Sequence, residues 1–184
     1  MKQVVCMISL VVALSSSLFA EEKVADALAV RIVPERTWED GKRIIETQPE
    51  AHFHVIITNL SDKPVRLWRD WCSWGEQTLS FEVTDENGNA IVVKRSARSY
   101  RKNYPDLDLI PPGDHKVCEV SFGQTTDPTS DYGTNAPLPE KGKTREVKMK
   151  AVFKIPEDEM AKEKKVWTGK VCSPEETYTI HRTR

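Results

Sequence analysis

The sequence predicts an all-β domain, a β-sandwich of two antiparallel sheets, and three observations carry that prediction. Short segments alternate apolar and polar residues with the period of two that a half-buried strand requires. Turn-forming clusters separate them, at residues 59–64, 85–89 and 111–114. Helical patterning is confined to residues 157–165, enough for one or two turns.

The first twenty residues stand apart. Lys2 precedes an apolar run from Val4 to Leu14, a Ser-rich stretch and Ala20, and Glu21 begins the charged remainder. That order is a secretory signal peptide over residues 1–20, with one domain over residues 21–184. The run is too short to anchor the chain across a membrane. Cys6 lies inside the run rather than at its end, which excludes a lipoprotein signal. The protein is therefore expected to be secreted or periplasmic.

The first strand spans residues 27–33, with Leu28, Val30 and Ile32 inward. Ile44 and Ile45 offer a short edge pairing. The organising element is the hairpin over residues 52–68. Phe53, Val55 and Ile57 face the core, Asn59 to Pro64 supply turn chemistry, and Val65 and Leu67 return inward. Leu79, Phe81 and Val83 mark the next strand, and Asn87-Gly88 turns it into residues 90–94. A basic loop over 95–102 leads to residues 103–110. Pro112-Gly113 precedes a strand that points Cys118, Val120 and Phe122 one way. Residues 123–144 form the longest expected loop. Residues 145–155 are the cleanest strand, with Val147, Met149, Ala151, Phe153 and Ile155 on one face and Lys148, Lys150 and Lys154 on the other. Residues 166–175 and 177–181 close the chain as strands, interrupted at Ser173-Pro174.

The turn Asn59-Leu60-Ser61-Asp62-Lys63-Pro64, the Pro112-Gly113 turn and the run Val166-Trp167-Thr168-Gly169 with Ser173-Pro174 carry a family resemblance. The chain resembles immunoglobulin-like and fibronectin-III-like domains of uncharacterised secreted bacterial proteins. More distantly it is similar to the bacterial proteinase-inhibitor sandwich family. The resemblance covers roughly residues 25–181 and implies an immunoglobulin-like sandwich. Its motifs are turns and core positions, so it implies no activity and no reactive loop.

Composition narrows the function classes. Lys and Arg number 27 against 28 Asp and Glu, a net charge of −1, which does not suit a general nucleic-acid binder. Beyond Cys6, the cysteines Cys72, Cys118 and Cys172 lack metal-type spacing, and both a disulfide with one free thiol and three free thiols fit the pattern. His52 and His54 share a strand face, but no further ligands stand at a recognisable spacing, so no metal is expected. There is no Gly-rich phosphate loop, Ser nucleophile elbow or assignable carboxylate pair. The chain is accordingly expected to be no enzyme and to carry no cofactor.

Binding chemistry concentrates in two places. Trp68, Trp71 and Trp74 crowd one loop, where Trp71 or Trp74 is expected to plug the sandwich end and Trp68 to stay reachable. An immunoglobulin-like order would set residues 145–155 between 65–68 and 166–171. Arg66, Trp68, Lys148, Lys150, Lys154 and Lys170 would then share one outer face, with Glu82 offsetting part of the charge. The expected function is a secreted binding module for an anionic polymer, glycan or protein of the cell envelope. Two alternatives are an inhibitor of a secreted peptidase acting through sandwich-end loops, and a structural envelope domain without a discrete ligand. No nucleic-acid partner is expected.

Overall fold

The computed structural model describes residues 27–48, 51–96, 99–100, 103–123, 132 and 136–183. The expected leader lies outside the described residues, as do parts of the expected loops at 95–102 and 123–144.

The described residues are all-β apart from one short helix. Its elements in order are β1 (Leu28–Val33), β2 (Arg36–Thr37), β3 (Arg43–Glu46), β4 (Phe53–Asn59), β5 (Val65–Trp68), β6 (Leu79–Asp85), β7 (Ala90–Lys94), β8 (Leu107–Ile110), β9 (His115–Val120), β10 (Thr144–Ile155), α1 (Glu159–Lys164), β11 (Gly169–Cys172) and β12 (Glu176–His181). A three-stranded sheet runs β1-β4-β9. A larger sheet runs β2-β3-β12-β10-β6-β7, with β11 also on β10, and β5 pairs with β8 in a separate ribbon.

Packing between the sheets is sandwich-like: β1 lies against β10 and β11. The alternation seen in the sequence explains the burial. Phe53, Val55 and Ile57 from β4, Phe81 and Val83 from β6, and Val147, Met149, Ala151 and Phe153 from β10 are all within the core. At its centre Phe53, Phe81 and Phe122 meet edge to face, with ring centroids 4.9 to 5.5 Å apart. Such geometry adds to the area the rings bury.

The turns are built as their residues dictate. Asn59 is fully buried; its Nδ2 donates to the carbonyls of Lys63 (2.8 Å) and Ile110 (2.9 Å), and its Oδ1 accepts from Ser61 N (2.9 Å). The residue that shapes the hairpin thus also ties it to β8. Helix α1 begins at Asp158, whose Oδ1 accepts from Ala161 N at 2.7 Å, and ends at Lys165 in the left-handed region.

Two expectations about pairing are corrected. β3 runs parallel to β12, so the sheets are not purely antiparallel. β10 is not flanked by β5. One of its edges takes β6, and the other is divided, with β12 along residues 144–149 and β11 along residues 152–155. At the division Ala151 N donates to Ser173 Oγ and Ser173 N donates to the Ala151 carbonyl, both at 2.9 Å. The break at Ser173-Pro174 is what lets one edge serve two strands.

Candidate binding face and its neighbouring pocket

The inward set of β10 forces its alternate side chains outward. Lys148 and Lys154 are exposed and Lys150 is half-buried on the outer face of the large sheet. β11 adds Lys170, which stands directly across from Lys154 in register. β6 adds Glu82, opposite Lys150. The Glu82 carboxylate sits 2.7 Å from Lys150 Nζ and 3.5 Å from Lys170 Nζ. Its hydrogen bond to Lys150, helped by the charges of Lys150 and Lys170, holds the carboxyl below its usual range, and the same bond raises Lys150.

One carboxylate therefore serves two lysines. Among the described residues no ion pair is made by Lys148 or Lys154. Like charges directly opposite each other on neighbouring strands are unfavourable, which is the setting of Lys154 and Lys170. The Lys148 end is more acidic. It borders a depression of about 290 Å³ shared with Asp85, Glu86 and Glu146. Positive character is thus greatest towards Lys154 and Lys170.

The other two expected members of the face lie elsewhere. Arg66 is exposed, but β5 belongs to the β5–β8 ribbon, and Arg66 Nη1 donates to the Lys164 carbonyl at 2.9 Å. A guanidinium at the last turn of α1 satisfies an otherwise open carbonyl and complements the helix dipole. Trp68 is 2% exposed rather than outward. Leu67 and Trp68 are both buried, because the loop after β5 folds back over the strand end. Trp74 covers Trp68, with ring centroids 5.9 Å apart. Gly75 makes that return possible: a Cβ there would collide with the Arg69 carbonyl and stand 3.2 Å from Trp68 Cβ. Trp71 is left 48% exposed, so Trp74 is the residue of the loop that plugs.

Where the loop meets the end of β10, a pocket of about 310 Å³ opens. Trp68, Trp74, Ser73, Gln77, Lys154 and Asp158 are among its lining residues. Lys154 therefore belongs to both the basic face and this pocket.

A second charged cluster, which the sequence analysis did not single out, holds the Trp loop in place. Lys116 on β9 is buried, and its Nζ lies 2.9 Å from each of Asp70 Oδ1, Asp108 Oδ2 and the Trp68 carbonyl. Arg69 closes the cluster with Asp106 (3.0 Å) and Asp108 (2.8 Å). Burial opposes the Lys116 charge, but Asp70 and Asp108 more than restore it, so its pKa is raised. Burial likewise opposes ionisation of Asp108, and Lys116 followed by Arg69 outweighs it, so that carboxyl is lowered. The signal was present in the strand pattern: Lys116 shares the parity of Cys118 and Val120, an inward position for a lysine.

The three cysteines among the described residues are free: Cys72 and Cys118 are buried and Cys172 is exposed. Burial first, then the Asp70 charge, pushes the Cys118 thiol up to about 12, which makes it an inert core group.

No protein-family model and no solved structure matches the chain. Among curated proteins, Endonuclease 8-like 3 of Xenopus laevis is 25% identical over 125 residues, which cover 66% of this chain and 19% of that protein. The chain spans about a fifth of that relative's length. The expectation that the chain is no enzyme is corrected by this finding, because the protein it resembles is an enzyme by name.

Proposed function

We propose that this chain is an exported, immunoglobulin-like sandwich that binds an anionic polymer on the outer face of its large sheet. Lys148, Lys150, Lys154 and Lys170 make the contacts. The observation that carries the reading is the register that sets Lys154 opposite Lys170, with Glu82 already engaged by Lys150 and Lys170. A polyanion laid across β10 and β11 relieves that repulsion and gains from it.

The similarity to an endonuclease favours a second reading, in which the polymer is a nucleic acid and the chain acts on it as part of a larger activity. Retention on immobilised heparin and on single-stranded DNA separates the two. Lys148→Glu combined with Lys150→Glu should abolish retention on the preferred matrix while the far-ultraviolet spectrum and melting temperature hold. Binding should also weaken with salt; for a single strand the log–log slope per neutralised phosphate is about −0.7. Retention that the double variant and added salt leave unchanged overturns the face. Cleavage of a labelled duplex by the wild type, lost in the double variant, would establish the nucleic-acid reading.

A further inference from the structure

We infer that the pocket between the Trp loop and the end of β10 seats one acidic pyranose ring of the bound polymer, a uronate. The inference rests on the anionic-polymer reading and adds to it the class of the repeating unit. At about 310 Å³ the pocket is at the small end of the ~300–1,000 Å³ range of ligand sites, suited to a single ring rather than a long chain segment.

Its lining has the mixture that a sugar requires. Trp74, half-buried and backed by the buried Trp68, supplies an indole wall against which the apolar face of a pyranose packs. Gln77 is exposed at the rim and offers both a donor and an acceptor to ring hydroxyls. Asp158 is held in place because its Oδ1 caps α1, which leaves its second oxygen for a hydroxyl donor. Lys154 supplies the cation for the ring carboxylate.

The architecture makes the wall rigid. Trp68 is buried on β5, its carbonyl is gripped by Lys116, and Ser73 is fixed by Asn103, which donates to Ser73 Oγ at 2.6 Å and accepts from Ser73 N at 3.1 Å. A preformed wall loses little freedom when a ring arrives. Asp158 also sets the selectivity: beside the pocket, its charge favours hydroxyl donors over phosphate oxygens, while Lys154 lies where the pocket meets the basic face. The polymer then runs along the lysines, and one ring turns inward at their end.

Three probes test this: trigalacturonate, inorganic polyphosphate and an oligothymidylate. Trigalacturonate should change the tryptophan fluorescence of the wild type, and Trp74→Ala should weaken its binding about tenfold. Gln77→Ala and Lys154→Gln alter exposed side chains, so they serve even if Trp74→Ala fails to fold, and each should weaken trigalacturonate severalfold. Polyphosphate retention should be lost in the Lys148→Glu, Lys150→Glu variant and kept in Gln77→Ala. Trigalacturonate binding without polyphosphate retention would uphold the pocket and overturn the face. A wild type that ignores trigalacturonate, or Gln77→Ala and Lys154→Gln variants that bind it unchanged, would overturn the pocket. Oligothymidylate binding that depends on Trp74, without any trigalacturonate binding, would replace the sugar with a nucleobase and equally overturn it.

Discussion

Lys116 and the lysines of β10 show two opposite uses of the same side chain. Lys116 is buried at the base of the Trp loop and meets two carboxylates and a carbonyl, each at 2.9 Å. Its charge is consumed inside the molecule, where it fastens the loop to β8 and β9. Lys148, Lys150, Lys154 and Lys170 lie on an open sheet face, where one carboxylate, Glu82, pairs with Lys150 and Lys170 only. Their charge is directed outward. The number of lysines thus says little; the number of anions within reach of each decides whether it holds the fold or meets a ligand.

The largest effect that tests this contrast comes from Lys116→Met. Removing the cation leaves Asp70 and Asp108 partly buried without it, and breaking such a pair costs about 3 kcal/mol. Urea unfolding should record the loss, and the Trp68 and Trp74 emission should shift as the loop loosens. A cost below about 1 kcal/mol would put Lys116 in the same class as the outer-face lysines.

A smaller effect follows from acid. The folded Asp108 carboxyl is lowered from its ordinary value of 3.8, so its contribution is present above that value and lost as pH falls through the folded one. Lys116 has the opposite sign: raised above 10.5, it contributes below that value and is lost as pH rises through the folded one. Wild-type stability should fall on acidification from about pH 5 downwards, and Asp108→Asn should show a shallower fall in the same window. Equal slopes would remove Asp108 from the network.

The smallest effect belongs to the outer face. Lys150→Ala breaks the shortest ion pair there, at 2.7 Å, yet both partners are solvent-exposed enough that stability should hardly change, far less than in Lys116→Met. A larger loss in urea unfolding would mean that the face is built for stability after all.

Local pattern made some of this legible and hid the rest. The alternation of β10 assigned Lys148, Lys150 and Lys154 outward because a strand has only two faces and five apolar residues claim one of them. The same parity rule failed for Trp68. It presumed that β5 joins the large sheet, whereas β5 pairs with β8, a partner that short-range alternation cannot identify. The parallel pairing of β3 with β12 was hidden for the same reason, since it joins opposite ends of the chain. Lys116 was readable but unread: a lysine in step with Cys118, Val120 and Phe122 must either disrupt the core or find anions there. The similarity to an endonuclease, at 25% identity, is spread over 125 residues, a scale that local motifs and strand parity do not address.

The divided edge of β10 gives the large sheet a seam. Along residues 144–149 and 152–155 backbone meets backbone, but at Ala151 the amide is held by the Ser173 hydroxyl, which itself donates to the Pro174 carbonyl at 2.9 Å. A single side chain thus completes the ladder in the middle of its longest strand. β11 and β12 consequently meet β10 as two separate segments: β12 continues the sheet into β3, whereas β11 ends it on that side. Lys170 therefore depends for its place beside Lys154 on the short β11 pairing alone, four residues long, and not on the β12 segment.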